Sequence, residues 1–123
     1  MTAHFPGKPP IDAYGGGGFR FAGMSHRGSI IILPSGVYDW NPAEPLAVAD
    51  FAPVFNEQGA IQFLLLGMGD EMRRPPAPVR QAFEARKLPL DFMSTGSAVR
   101  TWNVLLAEGR RVACALLAVE NAQ

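Results

Sequence analysis

Two kinds of apolar segment alternate along this chain: short β-branched or aromatic runs bounded by glycine and proline, and longer stretches whose apolar residues recur at helical spacing. Ile30-Ile31-Ile32-Leu33 is of the first kind, a composition that suits a buried pleated strand. Before it, Phe19 and Phe21 alternate with Arg20, and turn signals stand between the two segments at Gly23 and Gly28. The pair is therefore expected to form a hairpin. Pro34-Ser35-Gly36 bends the chain, and Val37-Tyr38-Asp39-Trp40 resumes the alternation as a further strand or as a continuation past a bulge, closed by Asn41 and Pro42.

The second half changes rhythm. Asp50 is placed to cap a short helix through Glu57, with Pro53 in its first turn and Gly59 at its end. Ile61-Gln62-Phe63-Leu64-Leu65-Leu66 is apolar on both faces, as a central strand covered from two sides must be, and stops at Gly67-Met68-Gly69. The cluster Pro75-Pro76-Ala77-Pro78 starts a second helix with Val79, Ala82 and Phe83 as its apolar stripe. Leu88 to Met93 reads as the next strand. Ser94 or Thr95 caps a third helix, with Ala98, Trp102, Leu105 and Leu106 inward and Gly109 ending it, before a last strand over Arg111 to Val119. The order strand, helix, strand, helix, strand implies parallel pairing with right-handed crossovers. The predicted fold is a single three-layer α/β domain over residues 11–123, with a mixed central sheet and an N-terminal antiparallel hairpin. Residues 1–10, proline-rich and without periodicity, are expected to be a flexible lead-in.

Composition narrows the function classes. The chain has 123 residues with Lys plus Arg equal to Asp plus Glu at 11 each, so no long-range positive field gathers nucleic acid, which is excluded as an expected partner. The longest apolar stretch, Val112 to Val119, is too short to span a bilayer, so any membrane association is expected to come through a partner. The start carries neither a secretory apolar core nor a transit-peptide pattern, which predicts a cytoplasmic protein. The single cysteine, Cys114, sits in an apolar strand as a small filler.

Catalytic equipment is sparse. His4 falls in the lead-in and His26 in an expected turn; neither has a partner at metal-ligand spacing. No Gly-x-Ser-x-Gly occurs, and Asp50, Asp70 and Asp91 fall near element ends, where acids commonly cap. No catalytic residue, metal or cofactor is assigned, and the chain reads as a binding protein more than an enzyme. Gly15-Gly16-Gly17-Gly18 lacks the Gly-Lys-Ser/Thr and helix of a phosphate loop; it reads as a bulge or tight edge passage, or as a ligand-facing wall. Gly67-Met68-Gly69 lacks the third glycine of a dinucleotide fingerprint, with Arg73, Arg74 and Pro75 following instead. The strongest constellation is Gly67, Met68 and Gly69 beside Thr95, Gly96, Ser97, Arg100 and Asn103. A helix opening near Gly96 would point free amides at the carboxyl edge of the sheet, with Arg100 reaching back toward them, which makes a candidate anion pocket. The alternative is that Thr95 and Ser97 only cap the helix and Arg100 pairs with a structural acid such as Asp70 or Asp91.

Several stretches together resemble the mitochondrial complex I assembly factor 3 family, small domains of unknown function with bacterial members. They are Ile11 to Arg20 (IDAYGGGGFR), Gly28 to Val37 (GSIIILPSGV) with Trp40, Leu66 to Gly69, and Arg100 to Ala113 (RTWNVLLAEGRRVA). Ser94 departs from the acid common in the family pattern there, and Trp102 from the frequent tyrosine. The resemblance implies a three-layer α/β fold, no established catalytic residues, and a protein partner such as subunits of a membrane complex. Lacking a transit pattern, the chain looks like a bacterial relative.

Overall fold

A computed structural model describes residues 5–122. Among the described residues eight strands form two sheets. β1 (Ala13–Gly15), β2 (Gly18–Phe21) and β3 (Met24–Arg27) make a small antiparallel sheet in that order. The central sheet contains β4 (Ile30–Leu33), β5 (Gly36–Asp39), β6 (Phe63–Gly67), β7 (Leu90–Met93) and β8 (Val112–Leu116), ordered β5-β4-β8-β6-β7. Strands β6, β7 and β8 run parallel, whereas β4 is antiparallel to both β5 and β8. The sheet is mixed, as expected, and open at β5 and β7.

One pairing differs from expectation. The N-terminal hairpin exists, but Phe21 faces Met24 across it and Phe19 faces His26; the segment Ile30–Leu33 pairs instead with β5 and β8. Met-Ser-His-Arg carries no apolar alternation, so β3 reads as a turn in the sequence. Only its pairing with β2 makes it a strand. His26 is accordingly no solvated turn residue: its side chain is 9% exposed and its Nε2 lies 3.1 Å from Asp39 Oδ1 and 3.2 Å from the Ser29 carbonyl. It thereby links the small sheet to the central one.

Strand alternation sorts the core onto the two faces of the central sheet. Leu64 and Leu66 point with Ile31, Leu33, Ala113 and Ala115 toward one cluster, joined by Phe51, Val54, Val79 and Phe83. Leu65 points with Ile30, Ile32 and Cys114 toward the other, joined by Phe19, Phe21, Ala98 and Trp102. The first face is covered by the short helix α1 (Ala52–Asn56) and by α2 (Ala77–Ala85); the second by α3 (Thr95–Ala107) together with the small sheet. These are the three layers. Asp50 does not head α1 directly. It lies in a 3-10 turn over Val48–Phe51, and its carboxylate accepts the amides of Ala43 and Ala47.

Both ends of the described chain are fastened. Residues 1–4 of the expected lead-in lie outside the described residues. From Phe5 onward the chain packs on the domain: Phe5 bridges to Val37 and meets Phe21 edge-on, and the Trp102 indole donates to the Pro9 carbonyl at 2.9 Å. At the other end, the glycine run receives the C-terminal segment. Gly16 N–H donates to the Glu120 carbonyl and Gly17 N–H to that of Val119, while a Cβ on Gly18 would collide with the His26 carbonyl oxygen. The run is thus a tight passage between backbones.

Cys114 is wholly buried between Leu65 and Ile32, its cross-strand neighbours. Burial pushes its thiol far above the usual range, only partly opposed by a hydrogen bond from the Ile32 backbone and the charge of Lys8. A thiol that ionises later in the folded than in the unfolded chain costs stability as pH rises through the unfolded value, about 8.5. Urea titrations above that pH should therefore show stability falling by up to ~1.4 kcal/mol per pH unit more steeply in the native sequence than in Cys114→Ala. A disulfide reagent should label Cys114 only as fast as the protein opens.

Candidate functional site

The carboxyl ends of β6, β7 and β8 meet at one edge of the sheet, and Thr95 holds them there. Among the described residues it is the buried polar side chain, with no exposed surface. Its amide donates to the Gly69 carbonyl at 2.8 Å, its hydroxyl accepts the Gly69 amide at 3.0 Å, and the same hydroxyl donates to the Leu117 carbonyl at 2.7 Å. The exits of β6 and β8 are thus tied to the start of α3. The sequence accommodates this through Gly67, where a Cβ would stand 3.0 Å from the Thr95 Cα and hydroxyl, and through Gly69, which turns the chain at a φ of 102°.

The eight residues proposed from sequence do not form one pocket. Gly67, Gly69 and Thr95 come together as this joint. Ser94 caps α3, its hydroxyl accepting the Ser97 amide and its carbonyl the Ala98 amide. Tyr14 packs its hydroxyl over Gly96, and Arg100 lies beside it, with a guanidinium nitrogen 3.4 Å from Ser97 Oγ. Asn103 belongs elsewhere: its side-chain oxygen accepts the Ile11 amide and its nitrogen donates to the Ile11 carbonyl, both at 2.8 Å. This two-bond clamp holds the segment that leads into β1. Met68 faces away from α3, into a groove on the opposite face.

That groove, of about 580 Å³, is what sequence reading missed. Its walls come from the loop after β5, including Trp40 and Leu46, from Met68, Arg73 and Arg74 after β6, and from Leu117 after β8. Chain direction explains its position. The connection from β6 leaves toward α2 on one face, while the segment after β8 leaves toward the glycine run on the other. Adjacent parallel strands whose exits diverge leave a crevice between them, the usual ligand position in open α/β sheets. Trp40 is anchored by its indole N–H on the Asp50 carbonyl, 2.9 Å away, and by edge-on contact with Phe51. The available signal was the proline- and arginine-rich stretch directly after a glycine-ended central strand.

Among the described residues no group of three or more His, Cys, Asp or Glu side chains could hold a metal ion, and no helix is long and apolar enough to cross a membrane.

Fold and edge together define a class: a three-layer α/β domain with an open mixed sheet, a small accessory sheet, and a crevice where the parallel strands end. Residues 11–117 match the family described as protein of unknown function (DUF498/DUF598), and the chain belongs to it. It is 40% identical over 118 residues to an uncharacterized protein of Rhodobacter capsulatus, covering 96% of this chain and 91% of that one. It is 28% identical over 119 residues to the mouse NADH dehydrogenase [ubiquinone] 1 alpha subcomplex assembly factor 3, covering 95% of this chain but 64% of the mouse protein. A crystal structure from Bartonella henselae, described as an outer membrane protein, superposes with a TM-score of 0.90 at 53% identity, over 95% of this chain and all of that one. A solution structure from Rhodopseudomonas palustris superposes with a TM-score of 0.82 at 43% identity, over 97% and 90%. The resemblance to complex I assembly factor 3 therefore holds along nearly the whole chain.

Thr95→Val keeps the side chain's shape but leaves the Gly69 amide and Leu117 carbonyl without their buried partner. It should lower stability by about 2–6 kcal/mol, from roughly 1–3 for each of the two stranded groups. Chemical denaturation would measure this; a loss below about 0.5 kcal/mol, within the range of an ordinary surface substitution, would show that the joint carries no weight.

Proposed function

We propose that this chain is a non-catalytic assembly factor that holds a protein partner during biogenesis of a membrane enzyme complex, respiratory complex I being the first candidate. The observation that carries the reading is kinship with assembly factor 3 over 95% of the chain. The chain spans 64% of the mouse factor's length, so the activity of that longer protein is transferred here as a proposal. A protein partner also fits the fastening of both described ends, which leaves a rigid surface and little entropy to lose on docking. On this reading the protein works in the cytoplasm and reaches the membrane through its partner.

The experiment is genetic and biochemical. In a bacterium that encodes both a member of this family and a complex I, deletion of the family member should reduce NADH-driven quinone reduction in isolated membranes. The present chain, tagged, should restore it and co-purify with complex I subunits. Deletion membranes with undiminished complex I content and activity would refute the assembly role.

A further inference from the structure

We propose that the groove at the carboxyl edge binds a small amphipathic anion, an apolar body with a single carboxylate or phosphate head. The inference stands apart from the assembly role and would survive its failure. Three observations carry it. First, the groove lies where strand exits diverge, and its volume of about 580 Å³ falls inside the range of small-molecule sites, roughly 300–1,000 Å³. Second, its floor is apolar and firm. Trp40 and Leu46 belong to the core cluster beneath and Met68 packs against it, while the Trp40 indole N–H is already satisfied. An apolar body can lie there without stranding a donor.

Third, the charge is unbalanced. Arg73 and Arg74 line the groove, both exposed, against Glu44 as the one acid of its lining. Among the described residues neither arginine has an ion-pair or hydrogen-bond partner. A guanidinium presents up to five donors in a planar fork suited to carboxylate and phosphate oxygens. Ser29 adds a nearby donor, since its oxygen already accepts the Ala118 amide at 2.9 Å and its own proton remains to be given. The concave floor favours a compact molecule over an acidic peptide, which would need an extended charged surface.

Octanoate and octyl phosphate are the probes, with octanol as the neutral control and a glutamate-rich peptide as the competing class. Titrations followed by amide NMR shifts should move Ser29, Leu46, Met68 and Ala118 with at least one anionic amphiphile. Octanol should bind about tenfold or more weaker, and Arg73→Gln/Arg74→Gln should lower the anion's affinity by a similar factor. Which probe binds tighter identifies the head group. Added salt gives a second reading that needs no variant, because it should weaken the anion and leave octanol unchanged. Three results would overturn the proposal: no groove shifts with either amphiphile, equal binding of octanol, or arginine-dependent binding of the peptide alone.

Discussion

One buried hydroxyl organises the functional edge of this domain. A parallel sheet needs its crossover helices to begin close to its strand ends, and every polar group trapped there must find a partner. Thr95 meets both demands. It opens α3, exchanges two hydrogen bonds with Gly69, and donates to Leu117. With the backbone bonds from Met68 to Met93 and from Leu117 to Gly67, the ends of three strands become one rigid knot. Threonine suits the place because its hydroxyl both accepts and donates while its methyl fills apolar space. The glycines at 67 and 69 follow from it: one leaves room for Thr95, the other turns the chain back to meet it.

The knot also determines what the edge can bind. A helix start is attractive to an anion when its amides point into open space. Here the Thr95, Ser97 and Ala98 amides are already taken by Gly69 and Ser94, and the Tyr14 hydroxyl packs on Gly96 beside them. The open space lies on the opposite face, where the chain leaving β6 swings away toward α2 and the loop after β5 stands off from it. Closing one face leaves the other as a groove, with two arginines at its rim.

Where local composition decides the outcome, the sequence is legible. The β-branched run of β4, the prolines opening α2, the Ser94 cap and Gly109 after α3 each act on their own neighbourhood, and each element forms where its residues predict. The doubly apolar Leu64-Leu65-Leu66 likewise announces a strand buried on both faces. Elements made by tertiary pairing are not legible in this way. Met24-Ser25-His26-Arg27 becomes a strand through its ladder with β2, a context that overrides its composition. Asn103 illustrates the same limit at the site. Helical spacing puts it on the Gly96 and Arg100 face, and nothing local reveals that Ile11, far away in sequence, claims both ends of its amide.

The clamps at the two described ends bear on how a domain of this size can present a binding edge at all. A chain of 123 residues has limited interior, and each fastened segment adds contacts to it. Asn103 and Trp102 seize the incoming chain at Ile11 and Pro9, and the glycine run seizes the outgoing one at Val119 and Glu120. The outgoing segment is the direct continuation of β8 beyond Leu117, the carbonyl that Thr95 grips. Holding that segment against the small sheet therefore keeps Leu117 and Ala118 in place as a wall of the groove. The accessory sheet supports the groove twice over: β3 runs directly into Gly28 and Ser29 of its wall, and the glycine run between β1 and β2 holds the segment that follows β8.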